Sequence, residues 1–242
     1  MFAHGSKSRL TGKDLGRFTG GTLFDRIARV CCGVGVLPRK ELYEAWEVAR
    51  RTRRLFRGGR VMDLAAGHGL LAHLMLLLDD TSPQAVALDA ALPSSAGQLH
   101  AAILAEWPRL HGRVALVEAP LFDVALFEDD VVVSSHACGA LTDEILERAT
   151  AAGARVAVLP CCHDLRTCDA GPLRGWLDAP LAVDVRRAER LDRMGYRVWT
   201  QTIPPDITPK NRLLLAAPRR SDVDAGVGPW RSDAPRRPTL AP

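Results

Sequence analysis

Apolar residues recur along this chain in two alternating rhythms. Short runs of continuous apolar character occupy residues 60–65 (RVMDLA), 84–89 (QAVALD), 113–117 (RVALV), 130–134 (DVVVS) and 154–160 (ARVAVLP). Runs of this length, unbroken by polar positions, suit strands buried on both faces. Between them lie segments with helical spacing at 69–78, 94–107 and 141–152, the last with Thr142 and Asp143 as expected caps. Further helical segments are expected around 170–178 and 186–194. Two more helices, at 22–33 and 38–57, should precede the first strand. The second of these opens on Pro38, carries Leu42, Trp46, Ala49 and Arg53 at helical spacing, and stops at Gly58-Gly59. Its last turns hold Arg50, Arg51, Arg53, Arg54 and Arg57, which favour a helix C-terminus.

The rhythm changes at the end. Residues 196–203 and 211–217 read as two strands joined by the short loop PPDITPK, a hairpin in place of another strand–helix unit. The expected fold is α/β: a doubly wound, Rossmann-like, mostly parallel seven-stranded sheet with a C-terminal antiparallel hairpin and N-terminal helices. The expected organisation is a flexible basic arm over 1–20, one domain over 21–217 and a disordered tail over 218–242, where Pro, Arg, Asp and Gly dominate.

Composition narrows the classes. The 242 residues are 47% hydrophobic and 25% charged, ordinary values for a globular chain. No apolar run reaches the ~18 residues of a membrane span, and residues 1–21 lack a signal-like apolar stretch. No membrane partner and a cytoplasmic location are expected. The six cysteines, two pairs of them vicinal, are then expected as free thiols. The net charge of +4 is uneven: residues 1–60 carry 14 basic and 5 acidic side chains, residues 61–217 carry 13 and 20. A basic front on an acidic body suits RNA as a partner through the N-terminal segment. Because 28 of the 32 basic residues are Arg, G+C-rich coding reads the same bias without a function.

The most informative turn is Asp63-Leu64-Ala65-Ala66-Gly67-His68-Gly69. Gly67 and Gly69 let the backbone approach a ligand, and the helix beyond them offers free N–H groups. Twenty residues after Gly69 comes Asp89, at a strand end where a carboxylate can accept from ribose hydroxyls. The loop also fits a dinucleotide pattern and could be a turn without ligand. Three features favour S-adenosylmethionine (SAM): Asp63 four residues before the first glycine, two helices ahead of the loop, and the terminal hairpin. Asp63, Ala65, Gly67, Gly69, Asp89 and Ser134 are the expected cofactor-binding residues.

Two strand ends carry further chemistry: Ser134-Ser135-His136-Ala137-Cys138-Gly139-Ala140-Leu141-Thr142-Asp143, and Pro160-Cys161-Cys162-His163-Asp164. Strand C-termini line the ligand crevice of such sheets. The paired His-x-Cys-Gly-x-x-Thr-Asp and Cys-Cys-His segments resemble the methyltransferase domain shared by eukaryotic tRNA acceptor-stem 2′-O-methyltransferases, the methyltransferase-like 25 proteins and the glutathione S-transferase C-terminal domain-containing protein. Some members also have a Lys-Lys-x-His-Glu helix, to which Arg39-Lys40-Glu41-Leu42-Tyr43-Glu44 corresponds with Tyr43 in the His place. Some have a Thr-Pro-Lys-Asn segment, matched by Thr208, Pro209, Lys210 and Asn211. The likeness runs from about residue 38 to 217. It implies a SAM-dependent methyltransferase with Lys40 and Glu44 beside the cofactor, and His136, Cys138, Cys161, Cys162, His163, Lys210 and Asn211 at the reacting end. The cofactor loop departs from many methyltransferases in reading Ala65-Ala66 where a further glycine is common, and none of the zinc-finger modules of the tRNA-modifying relatives is recognisable.

The same residues have plainer readings. The vicinal cysteines can be small buried hydrophobes, the histidines satisfied structural groups, the Arg run a solvated helix face, and Lys210-Asn211 a hairpin closure. Cys138, Cys161, Cys162 and His163 could together ligate zinc, but their spacing is not a standard ligand pattern, and no metal is expected. RNA methylated at a ribose hydroxyl, with His136 or His163 as base, is the expected reaction. A protein or small-molecule methyltransferase and a non-catalytic nucleotide-binding module are the alternatives. The oligomeric state is not legible.

Overall fold

The computed structural model describes residues 3–219. The expected tail from 220 onward lies outside the described residues. Seven strands form one sheet in the order β3-β2-β1-β4-β5-β7-β6. In chain order they are β1 (Val61–Leu64), β2 (Ala85–Asp89), β3 (Val114–Glu118), β4 (Val131–Ser134), β5 (Arg155–Val158), β6 (Tyr196–Thr202) and β7 (Arg212–Pro218). The first five pair in parallel, and β7 runs antiparallel between β5 and β6.

Side chains of the central strands point alternately to two cores. Val61, Val131, Val133 and Ala157 face one. Met62, Leu64, Val132, Val156 and Val158 face the other. Both faces are covered, which is why these strands read as continuous apolar runs. The helices are α1 (Leu23–Val34), α2 (Arg39–Leu55), α3 (Leu70–Leu78), α4 (Ala96–Glu106), α5 (Ala140–Ala151) and α6 (Ala179–Arg193). No described helix is long and apolar enough to cross a membrane.

Four local expectations change. Residues 6–18 are not a loose arm. Leu10 N donates to Leu37 O at 2.9 Å, and Arg39 and Lys40, whose amides open α2, donate to Ser8 and Ser6 carbonyls at 2.9 and 3.0 Å. The segment thus satisfies helix N–H groups that have no partner inside the helix, and it buries Leu10 and Phe18. Arg53 is not on a solvated face. It is buried and donates to Met75 O (3.0 Å), Phe56 O (3.3 Å) and Ser82 Oγ (2.7 Å), with Asp79 at 3.2 Å. It ties the end of α2 to the end of α3. Neither Thr142 nor Asp143 caps α5, whose cap is Gly139 at φ +58°. Finally, the two expected late helices resolve into a short 3-10 turn over Gly171–Gly175 and one long α6. Asp178 caps α6 by accepting from Leu181 N, with Pro180 in the first turn.

Candidate functional site

The parallel strands end on one side of the sheet, and the candidate residues gather there. The turn after β1 is held by its own backbone and by β2. Ala66 N donates to Leu88 O (3.0 Å), Gly69 N to Ala66 O (2.9 Å), and Gly67 N to the Asp89 carboxylate (2.8 Å). Gly67 and Gly69 take φ +55° and +73°. Ala65 is at φ +56°, alone among the described non-glycine residues in having a positive φ. A side chain in that region carries strain. The missing glycine of the sequence pattern is therefore an alanine held in a glycine-like conformation.

Gly69 has a second requirement. A Cβ there would lie 2.9 Å from both Ala87 Cβ and Leu116 Cδ2. Gly69→Ala is expected to weaken SAM binding at least about tenfold by calorimetry and to cost roughly 1–3 kcal/mol of stability. At Gly67 the nearest atom to such a Cβ is His136 Cδ2, at 3.8 Å. The site fits a polar cofactor on a further observation. Asp63 Oδ2 accepts from Ala72 N at 3.1 Å, but Oδ1 is buried with no partner, and so is Ser134 Oγ. Unpaired buried oxygens are costly, and these two belong to neighbouring strands beside the glycine turn. Burial, with the Asp89 charge adding to it and the Ala72 amide opposing it, pushes the Asp63 carboxyl up to about 8.

The reacting side is a cavity of about 600 Å³. His136, Cys161, Cys162, Thr208, Pro209 and Lys210 line it, together with Lys40 and Glu44, which form an ion pair at 2.9 Å. His136 therefore stands between the glycine turn and this cavity. Lys7 also lines it, brought in by the ordered N-terminal segment. Glu41 lines it as well. Sequence reasoning missed both, because what places Lys7 is pairing with the start of α2.

Two expected members stand apart. His163 is 2% exposed at its side chain, and its Nε2 bonds Asp184 Oδ1 at 2.7 Å. Asp184 also meets Arg187 and Arg212, at 3.3 and 2.6 Å. Burial would raise this carboxyl, but its bonds to His163 and Arg212 prevail and hold it below the usual range. His163 thus fastens its loop to α6 and is not placed as a base. Asn211 is used in closing the hairpin: its Nδ2 donates to Ile203 O at 3.0 Å, and Ile203 N donates to Asn211 O at 2.9 Å. Tyr43 stacks on His4, ring centroids 4.3 Å apart, and does not line the cavity.

Arg187 organises the loop after β4. From α6 it bonds Asp143 with Nε and Nη2 (2.9 and 2.7 Å) and Gly139 O (3.0 Å). In the sequence it sits within an Arg-Arg pair that reads as helix surface, so no local signal reveals it.

A parallel sheet with an antiparallel β7, a glycine turn after β1 and an acidic residue ending β2 define a class I SAM-dependent methyltransferase. The sequence profile of the methyltransferase domain matches residues 40–168, more than half of the chain, and the protein belongs to that family. Its cofactor is SAM. No curated protein matches the chain in sequence. Among solved structures, it is similar to the SAM-dependent methyltransferase SibL in its apo form, with TM-score 0.51, 19% identity and 88% of this chain covered. The chain spans 66% of that longer protein. It is also similar to the ribosomal protein L11 methylase of Lactobacillus delbrueckii subsp. bulgaricus (TM-score 0.48, 13% identity, covering 73% of this chain and 77% of that one). The tRNA methyltransferase TrmK of B. subtilis gives TM-score 0.48 and 14% identity, covering 72% of this chain and 66% of that one. At 19% identity the likeness to SibL shows the fold alone.

Proposed function

We propose that this methyltransferase acts on RNA, at a ribose 2′-hydroxyl. The observation that carries the reading is the composition of the cavity beside His136. Only four lysines occur in the chain, and three of them, Lys7, Lys40 and Lys210, line this one cavity. A coding bias toward Arg does not explain such a placement. Of the three carboxylates in the same lining, Glu41, Glu44 and Asp206, Glu44 is paired with Lys40 and Asp206 with His4, which leaves Lys7 and Lys210 to favour a phosphate-bearing substrate. The arginines of the basic front segment contribute less directly: Arg50, Arg51 and Arg54 line a different groove, with Thr200 and Arg212.

Bound SAM supplies a methyl group on a sulfonium sulfur. His136 would accept the proton that the acceptor hydroxyl gives up when it takes that methyl group. Lys210 and Lys7 hold the neighbouring phosphate and so fix the acceptor in line, where positioning supplies most of the acceleration. Lys40 is turned toward Glu44 and serves the cavity wall.

Purified protein given methyl-labelled SAM is expected to label total RNA, with the label recovered as 2′-O-methylnucleoside after nuclease digestion. His136→Ala should lower the rate about 10²–10⁴-fold while SAM still binds. Lys210→Glu should raise the KM for RNA, whereas Arg54→Glu should not. Label found in a protein or small-molecule fraction and not in RNA refutes the RNA reading.

A further inference from the structure

Three thiols meet at the ends of β4 and β5. Cys138 follows β4, and Cys161 and Cys162 follow β5. The backbone itself brings them together: Cys138 and Cys162 form a short parallel bridge, and Gly139 N donates to Cys162 O at 3.0 Å. The Sγ atoms of Cys138 and Cys161 are 3.0 Å apart, those of Cys161 and Cys162 are 3.8 Å apart, and all three lie within 4.8 Å of one another. All three are free cysteines.

A tetrahedral ion with metal–sulfur bonds of ~2.3 Å holds its sulfurs about 3.8 Å apart. The Cys161–Cys162 edge equals that separation, and the Cys138–Cys161 edge is 0.8 Å shorter. Three sulfur donors with no carboxylate among them select a thiophilic ion over magnesium or calcium. Lys210 lines the same cavity as Cys161 and Cys162. The same ammonium would offset the single excess negative charge of a dication with three thiolates.

The ligand set differs from the one the sequence suggests. His163 is committed to Asp184 and does not join the cluster, nor does His136. Cys161 and Cys162 line the cavity, so a fourth position would open toward it. Zinc sites with four protein ligands are closed, whereas sites with three keep a position for water or another exchangeable ligand.

We infer that Cys138, Cys161 and Cys162 form a three-thiolate binding site for a thiophilic dication of the zinc class, with its fourth position open to the cavity. The site stands independently of the acceptor, because it requires only these three thiols.

The full-length chain, reduced and stripped with a chelator, is to be titrated anaerobically with Co²⁺ and then with Zn²⁺. One Co²⁺ per chain is expected, with a near-ultraviolet sulfur-to-cobalt band and visible bands of tetrahedral intensity that Zn²⁺ abolishes. Cys138→Ser should cut the sulfur band by roughly one third, as one of three sulfur ligands is lost, and weaken zinc binding at least about tenfold. Cys32→Ser, in the buried face of α1, should change neither. Retained SAM binding shows that each variant is folded, and the exposed Cys138 offers a substitution that the fold tolerates if Cys161→Ser does not. Absence of a stoichiometric cobalt band overturns the inference. A band indifferent to Cys138→Ser, or closure of a Cys138–Cys161 disulfide by a chain that takes up no metal, does so too.

Discussion

Replacing Arg187 by methionine is expected to cost about 3 kcal/mol of stability. The guanidinium is buried, with side-chain exposure of 2%, and it faces two carboxylates, Asp143 and Asp184. Removing one member of a buried charged group leaves the others unpaired, a loss of roughly 3–5 kcal/mol. The lower end applies because Asp184 keeps His163 and Arg212, and Asp143 is 26% exposed at its side chain. For a domain of this size each kcal/mol moves the melting temperature by about 2–4 °C, so calorimetric melting should fall by roughly 6–12 °C. The loss is also local. Arg187 holds Gly139 O and Asp143, so the loop bearing His136 and Cys138 should loosen. Methyl transfer should drop in this variant more than SAM affinity does. A melting temperature within about 2 °C of the parent, under 1 kcal/mol, would show that the two carboxylates find other partners.

The second large effect concerns Asp63. Its carboxyl is pushed up to about 8 by burial, against an ordinary value near 4. Below pH 4 it is neutral in both folded and unfolded chains and costs nothing. Between pH 4 and 8 the unfolded chain releases a proton that the folded chain keeps, so stability falls by up to about 1.4 kcal/mol per pH unit. Above pH 8 the full penalty stands. Asp63→Asn removes this titration. Its unfolding free energy relative to the parent should therefore rise between pH 4.5 and 8.5, by an amount on the order of 3–5 kcal/mol. Parallel stability curves for the two proteins would show that Asp63 is ionised throughout. The same variant should bind SAM more weakly. If the cationic cofactor draws Asp63 into its charged form, SAM binding by the parent at pH 7 releases a proton, and binding by the variant does not.

Much of the fold is legible in the chain because burial period is a local property. Val131-Val132-Val133 shows two-sided burial in its own composition, and the hairpin ending shows in the loop between residues 203 and 211. The start of α6 was equally present in the sequence, as Asp178 followed by Pro180, a capping residue and a first-turn proline. It was obscured because the apolar residues on either side suggest two shorter helices. The order of residues 6–18 could not be read in this way. Their polar composition suits a loose arm, and only α2, which needs partners for its first amides, gives them a place.

The candidate site divides along the same line. By itself the sequence determined the glycine turn, the acidic residues at Asp63 and Asp89, and the two Cys/His segments that follow neighbouring strands. These depend on backbone conformation and on position along a strand, which neighbours in the chain control. Only the tertiary structure decided what each polar side chain does. It gave His163 to Asp184 and Asn211 to the hairpin, and it buried Arg53. It left His136 and Lys210 facing one cavity, and it brought Lys7, Cys161 and Cys162 to them. A polar side chain takes the role of whatever charge or carbonyl the packed elements set beside it, and those partners can lie far along the chain, 21 residues away for His163 and 22 and 29 for the contacts of Arg53 with Met75 and Ser82.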